Sequence, residues 1–255
     1  MIAWLTECTM RRHRGFSLLE LSIVLIILGL LSSSLLADFS TLRTVAETNE
    51  AQRQLDNARE ALLGFAISHG RLPCPAAPGG SGIESPENGG NCTNPWDGFL
   101  PAISLGLQPV NDQGYALDPW GNPIRYAITT FKNPACASTP CISSENGLRN
   151  TWNSAIPAAP DLRVCSAAED STGSAGSAEC GAHHILTKDA VAVIFSLGRN
   201  GQLSPASSDE TANTNNDRLF VSHPATAAPN PFDDQVSWIS ASILYSRLLA
   251  AGRLP

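Results

Sequence analysis

Residues 11–20 read Arg-Arg-His-Arg-Gly-Phe-Ser-Leu-Leu-Glu, and an apolar run continues from there to Ala37. The run from Phe16 to Ala37 has 22 residues, enough for a helix to cross a bilayer, since a transmembrane helix needs about 20. The arginines before it predict a cytoplasmic N-terminus with the rest of the chain on the far side of the membrane. A secretory signal peptide is the alternative, but its apolar region is about 7–15 residues long and precedes a small-residue cleavage site. No good site of that kind occurs before Asp38.

Glu20 is a carboxylate near the start of this apolar run. A charged side chain at the centre of a bilayer costs roughly 2.5–3.5 kcal/mol on insertion scales and less near the end of a helix, so we expect a partner for it. Cleavage after Gly15 would create such a partner, the new amine of Phe16. Pairing of this amine with Glu20 of a neighbouring subunit would set an axial stagger. A glutamate that snorkels to the interface without a role is the alternative.

The combination of Gly15, Phe16 and Glu20, with basic residues before it and a long apolar helix after it, resembles the signal of type IV pilins and type II secretion pseudopilins. The resemblance implies that a prepilin peptidase cuts between Gly15 and Phe16 and methylates the new N-terminal Phe16. It also implies that Glu20 acts in subunit registration. Gly29 matches the family's helix glycine, whereas Ala37 stands where the family often has a proline.

The helical pattern continues beyond the apolar run, because Gly64 is the sole glycine or proline between Asp38 and His69. Apolar residues recur there at spacings that fit one helical face: Leu42, Val45, Leu55, Ala58, Leu62, Phe65 and Ala66. Gly70 and Pro73 then form a typical helix stop. The predicted organisation is therefore a leader at 1–15, a transmembrane or filament-core half-helix at 16–37, an amphipathic half-helix at 38–70 and a globular head at 71–255.

The expected fold class is α+β and type IV pilin-like, with a long N-terminal helix packed on a small antiparallel β-sheet with long loops. Residues 124–128 and 190–197 have strand patterns, and shorter ones occur at 162–164 and 219–221. The residues at 118–121, Asp-Pro-Trp-Gly, fit a type I turn. After 231, apolar residues at helical spacing predict a closing helix capped by Asp233 or Asp234.

Charge argues against nucleic-acid binding. The whole chain has a formal charge of −7, and the part after residue 15 has 13 basic and 22 acidic residues, a net of −9. Binding to phosphates requires clusters of Lys and Arg, and no such cluster follows residue 15.

Six of the seven cysteines follow the leader, an even number in a chain that carries an export signal. This pattern predicts up to three disulfides, with the following candidates: Cys74, Cys92, Cys136, Cys141, Cys165 and Cys180. Cys74 and Cys92 bracket a loop rich in Gly, Pro and Asn, and Cys136 and Cys141 are close enough for a local loop. Reduced, buried thiols are the alternative.

The segment 118–123, followed by a strand, and the segment Ser-Leu-Gly-Arg-Asn-Gly at 196–201 resemble the head of major pseudopilins. In that family a loop after the second segment binds calcium, and Asp209, Asn215 and Asp217 are the candidate ligands here because hard oxygen ligands suit calcium. Their spacing fits no defined loop such as an EF-hand, and a solvated polar loop is the alternative. We otherwise predict no cofactor.

No catalytic motif stands out in the sequence, neither a nucleophile elbow, a phosphate loop nor a zinc-protease motif. His183 and His184 are adjacent, and in an extended segment they would point to opposite faces. The sequence thus predicts a structural protein of the bacterial inner membrane that later enters a periplasmic or cell-surface filament. The expected partners are prepilin peptidase, other pilins or pseudopilins and the inner-membrane assembly platform. The alternatives are a type II secretion pseudopilin, a membrane-anchored periplasmic hydrolase and an adhesin tip.

Overall fold

The computed structural model of the chain describes its backbone in six stretches, and within them the side chains of residues 32–41 are not described. The described residues are 17–136, 139–154, 158–168, 180, 185–202 and 207–255. The chain separates into two compact units, the first ending at Ala46 and the second extending over Glu47–Pro255.

The first helix, α1, extends over Leu18–His69. It ends where the sequence predicts, because Gly70 has a positive φ of 68° and its N–H donates to Ala66 O at 2.9 Å. Within the second unit, the face containing Leu55, Ala58 and Leu62 is buried. Leu42 and Val45, which the same periodicity assigns to that face, are exposed, because they lie in the first unit, before the buried face starts at Ala51.

The remaining described elements form the head. The strands are β1 (Gly98–Phe99), β2 (Arg125–Ile128), β3 (Leu162–Cys165), β4 (Ile185–Ser196), β5 (Leu219–Val221) and β6 (Gln235–Ser240). The helices are α2 (Ala102–Leu105), α3 (Gly147–Asn153), α4 (Ser208–Thr214) and α5 (Ala241–Ala250), with a 3-10 turn at Pro134–Cys136.

The strands form one sheet in the order β1-β2-β4-β3-β5, with β6 also paired to β4. The predicted strands at 124–128, 162–164 and 219–221 are confirmed, and the predicted strand at 190–197 starts five residues earlier, at Ile185. The expectation of a purely antiparallel sheet is wrong, because β5 pairs with β3 in parallel. Between these two strands the chain passes through β4 and α4 before it returns along the free side of β3.

The predicted closing helix after residue 231 is wrong in its first half. Residues 235–240 form strand β6 on β4 rather than the start of a helix, and α5 begins after Ser240, whose Oγ accepts the N–H of Ile243. Asp233 and Asp234 are therefore not the cap. Edge pairing with β4 decides between strand and helix here, and local spacing does not contain this information.

The core lies on both faces of the sheet. On one face, Leu55 and Leu62 of α1 and Leu244 of α5 pack against the strands, and Ile194 of β4 belongs to the same cluster. On the other face, Phe195 of β4 packs with Phe220 and Leu162. Strand β4 is thus buried on both sides over 190–196, which accounts for its continuous apolar sequence.

Three disulfides link the six cysteines of the head. Cys74 pairs with Cys92, Cys136 with Cys141, and Cys165 with Cys180. The first pair closes the Gly- and Pro-rich loop. Within this loop Glu84 forms a buried bidentate ion pair with Arg71, with N–O distances of 2.7 and 2.6 Å, and also accepts the N–H of Cys74.

Candidate functional site

The predicted assembly site lies at the N-terminus. Gly15 and Phe16, the predicted cleavage and methylation residues, lie outside the described residues. Glu20 lies in the first turn of α1 and is exposed, and Ser17 accepts the N–H of Leu19 with its hydroxyl at 3.3 Å. The neighbouring Leu18 and Leu19 are 86% and 71% exposed. In the single chain, therefore, Glu20 lies on an apolar surface that water would have to solvate.

Within the described part of the chain, the helices do not combine the length and the hydropathy required to cross a bilayer. The predicted membrane-spanning run, 16–37, begins at a residue outside that part and stays a prediction.

In the head, the two segments that resemble pseudopilins meet through Asp118. This buried carboxylate accepts the N–H groups of Trp120 and Asn122 at 3.0 and 2.8 Å, and its other oxygen accepts the hydroxyl of Ser196 at 2.6 Å. Asn122 in turn donates its amide to Gly198 O at 2.6 Å. The predicted turn at 118–121 is confirmed by the bond from Gly121 N to Asp118 O. The two segments therefore form one buried hydrogen-bonded unit.

The same two turns are held on α1 by a single carboxylate. Glu47 Oε2 accepts the indole N–H of Trp120 at 3.1 Å and the guanidinium of Arg199 at 2.8 Å. The Glu47 side chain is 17% exposed, so it lies partly out of water, where such charge-assisted bonds are strengthened. This contact holds the turns in segments 118–123 and 196–201, which we call the double turn, against Glu47, the first residue of the second unit.

Three carboxylates lie close together next to this double turn. Ligand oxygens of Glu210, Asp233 and Asp234 are all within 4.8 Å of one another. Glu210 is buried and accepts from Asn200 Nδ2 at 2.7 Å, and Asp234 is buried and accepts from Asn213 Nδ2 at 2.7 Å. Sequence reasoning missed this cluster, because it assigned Asp233 and Asp234 to a helix cap.

The cluster is strained electrostatically. The pKa of Asp234 is raised from 3.8 to about 7, chiefly by burial; the hydrogen bond from Asn213 lowers this pKa, and the charges of Glu210 and Asp233 contribute to raising it. Burial also raises the pKa of Asp233, against hydrogen bonds from the backbone of Arg199 and Asn200. Like charges at such short range favour protonation of at least one member or binding of a cation.

The predicted calcium ligands make separate contacts. Asp209 lies in the first turn of α4, where it accepts the N–H of Ala168 at 2.6 Å and lies 3.2 Å from a ring nitrogen of His223. Asn215 follows the other end of α4 and bonds to Asp217 at 2.8 Å. Calcium binding at these residues stays a prediction. His183 and His184 lie outside the described residues.

Comparison with known proteins identifies one segment of the chain. Residues 10–36 match the family model described as the prokaryotic N-terminal methylation motif. Neither the curated proteins nor the solved structures gave a match. The matched residues are the prepilin signal of type IV pilins and pseudopilins, and they include Gly15, Phe16 and Glu20. The signal indicates a structural protein.

Proposed function

We propose that this chain is a structural subunit, of the minor type, in a type IV pilus-like filament and is anchored in the bacterial inner membrane before assembly. The observation that carries the proposal is the match of residues 10–36 to the methylation motif. This prepilin-type signal implies processing by prepilin peptidase and assembly with other pilins. The disulfide-linked head of 185 residues with long loops favours a specialised subunit over a bulk one.

The primary test is the mature N-terminus. Mass spectrometry of the protein from membranes is expected to show a chain that begins at N-methylated Phe16, and Gly15→Ala is expected to retain the leader. A mature chain that begins at Met1, or after Ala37, would contradict the proposal.

A type II secretion pseudopilin is the second candidate. The observation that favours it is the double turn joined by Asp118, in the two segments that resemble major pseudopilins. Deletion of the gene separates the two functions. Loss of surface filaments with normal export supports the pilus, whereas periplasmic retention of folded secreted proteins supports the pseudopilin.

Calcium binding by the head is a secondary proposal that rests on the same resemblance. The close approach of the carboxylates of Glu210, Asp233 and Asp234, whose ligand oxygens lie within 4.8 Å of one another, supports it. We expect Ca²⁺ to raise the free energy of unfolding of the wild-type protein. Loss of this effect in Asp217→Asn would place the ion at the predicted ligands, and loss in Asp234→Asn would place it at the carboxylate cluster. Equal unfolding curves in Ca²⁺ and in chelator would exclude calcium.

A further inference from the structure

A small cavity lies where the last turn of α1 meets α3 and the residues that follow α5. It has a volume of about 110 Å³, whereas drug-sized ligands occupy about 300–1,000 Å³. The space therefore suits a single side chain or a molecule of only a few carbon atoms. Its wall combines apolar side chains with two arginines, and this combination indicates which kind of ligand fits.

The apolar part of the wall is formed by three leucines. Leu148 of α3, Leu248 of α5 and Leu254 all line the cavity, and they are 1%, 1% and 7% exposed. Contact of such side chains with water is unfavourable compared with contact with an apolar group. A ligand that places a short hydrocarbon stem against these leucines is therefore stabilised by burial.

Two arginines supply the charge of the wall. Arg149 and Arg253 line the cavity and are exposed. Arg149 donates to Arg253 O at 3.3 Å, and Arg253 donates to Ser68 O at 3.4 Å. Each guanidinium thus makes one hydrogen bond with the described residues, and neither forms an ion pair with them. Since a guanidinium has five N–H donors, both arginines can still bind an anion.

The surroundings of the cavity are positive in an acidic protein. The described residues that line it include no Asp or Glu. Residues 147–154 and 241–255 contain three arginines and no Asp or Glu, whereas the rest of the chain after residue 15 has 10 basic and 22 acidic residues. The third of these arginines, Arg247, pairs with Glu60 at 3.1 Å. The charge near the cavity therefore favours a negative ligand.

The end of α1 does not oppose such a ligand. The last carbonyl groups of a helix carry partial negative charge, and Ser68 of the last turn lines the cavity. However, Ser68 O accepts the guanidinium of Arg253, and Ala66 O accepts the N–H of Gly70 at 2.9 Å. These two carbonyls are thus already bonded to donors, which offsets their repulsion of an anion.

We propose that this cavity binds a carboxylate that is carried on a short aliphatic stem. An arginine can bind a carboxylate through two parallel N–H bonds, and the leucines accommodate the stem. The glutamate side chain of a partner protein and a free short-chain acid both have this chemistry. The inference goes beyond the proposed filament function and does not depend on it, because the residues that line the cavity all belong to the second unit.

An exposed aromatic side chain near the cavity favours the glutamate of a partner protein. Trp152 lies one helical turn from Arg149 on α3, is 41% exposed and has its ring 5.7 Å from that of Tyr245 on α5. Leu249, also on α5, is 40% exposed. Trp, Tyr and Arg contribute most to the binding energy at protein interfaces. A protein that inserts a glutamate can also cover Trp152, whereas a free acid small enough for the cavity leaves it in water.

Ligand-detected NMR with the full-length protein in detergent micelles tests this site. The probes are butyrate and the capped tripeptide acetyl-Gly-Glu-Gly-amide, and their neutral counterparts are butyramide and acetyl-Gly-Gln-Gly-amide. We expect saturation-transfer signals above the micelle background from the two acids and none from the neutral compounds, because the arginines favour a negative charge. Tighter binding of the tripeptide identifies a protein-borne glutamate as the ligand, and tighter binding of butyrate identifies a free acid.

Arg149 is preferred to Arg253 as the test residue because Arg253 also donates to Ser68 O at the end of α1. Arg149→Glu is expected to raise the Kd of both acids by at least about tenfold. Arg149→Lys keeps the charge but loses the planar fork, and a rise of about threefold is expected. Lys188→Glu is the matched control, since Lys188 is exposed on β4 and undergoes the same change of charge. Its Kd values are expected to stay within about twofold of the wild-type values.

The absence of a signal from both acids, equal signals from the neutral compounds, an unchanged Kd in Arg149→Glu, or an equal loss in Lys188→Glu would each overturn the proposed site. Displacement of butyrate by an equal concentration of sulfate would overturn it too, since sulfate has no stem to fill the cavity. The mature N-terminus of the same samples tests the filament function separately. A chain that is cleaved before Phe16 but binds neither acid contradicts the carboxylate site alone.

Discussion

At the residue scale, Glu20 is the side chain on which assembly is expected to depend. It lies on an apolar surface of α1. If this surface is buried between subunits, the carboxylate of Glu20 and the amine of Phe16 neutralise each other, and removal of Glu20 leaves the amine as an unpaired buried charge. We predict that Glu20→Ala leaves cleavage and methylation intact and lowers the assembled fraction by at least about tenfold, since an uncompensated buried charge costs several kcal/mol. Mass spectrometry measures the first and recovery of sheared filaments the second.

Ser22→Ala is a suitable control, because Ser22 follows Glu20 on the same helix and its hydroxyl donates to Leu19 O at 2.7 Å. Assembly of Glu20→Ala at the wild-type level would show that Glu20 has no registration role.

Asp234 is the residue expected to make stability depend on pH. Its pKa rises from the ordinary value of 3.8 to about 7 in the folded protein, chiefly because of burial. Between about pH 4 and pH 7 the folded state keeps this proton while the unfolded state has released it, so the free energy of unfolding falls as pH rises. The full loss is up to about 4 kcal/mol above pH 7.

Denaturant unfolding in chelator across pH 4–8 measures this dependence. Asp234→Asn cannot ionise and is expected to flatten the slope, whereas Asp112→Asn, at an exposed aspartate, is expected to preserve it. A wild-type stability that rises through this pH range would contradict the assignment.

At the scale of elements, Glu47 connects α1 to two turns far away in sequence. Glu47→Ala removes the acceptor for Trp120 and Arg199. We expect a loss of about 1–2 kcal/mol in the free energy of unfolding, because the indole N–H loses its partner and the ion pair is only partly screened. Denaturant unfolding measures it. Glu50→Ala is the control, since Glu50 pairs with Arg53 on the exposed side of the same helix, and a loss as large there would argue against a special role for Glu47.

Gly198 permits the close contact between the second turn and the acidic cluster. It has a φ of +65°, and an added Cβ would lie 2.1 Å from Asp233 Oδ1. Gly106 has nearly the same φ, +68°, with no atom within 4 Å of an added Cβ. We predict that Gly106→Ala costs about 1–2 kcal/mol from backbone strain and that Gly198→Ala costs clearly more, because Asp233 must also move. Thermal or denaturant unfolding compares them, and equal losses would show that the contact yields freely.

At the scale of the whole molecule, the disulfides are expected to stabilise the head unequally. The Cys74–Cys92 bond spans 18 residues and Cys136–Cys141 spans 5. Loop-closure entropy predicts that paired Cys→Ala changes at the longer loop cost about 1 kcal/mol more. Unfolding of the two double variants measures the difference. Cys8→Ala is the control, because Cys8 belongs to the predicted leader and its loss is expected to leave the mature protein unchanged. A larger loss at the shorter loop would contradict the entropic account.

Much of the structure of the head follows from local patterns in the sequence, and the predictions that are wrong share one cause. The turn at 118–121, the end of α1 at Gly70 and the strands β2 and β5 were predictable, because each depends on residues adjacent in sequence. The sequence of β6 predicts a helix, because the residues of β4 that pair with it lie 39 to 50 positions earlier in the chain. For the same reason the parallel pairing of β3 with β5 was not predictable.

The methylation motif and the helical and strand periodicities can be read from the sequence because each is a property of neighbouring residues, and the acidic charge because it is a sum over the chain. The folded structure alone shows that Glu47 contacts Trp120 and Arg199, that Glu210 lies close to Asp233 and Asp234, and that α3 and α5 meet through Trp152 and Tyr245. These contacts join segments that are far apart in sequence and that come together because the helices and loops pack on the two faces of the sheet. No local pattern specifies which distant segments will meet, because that outcome is set by the free energy of the whole core.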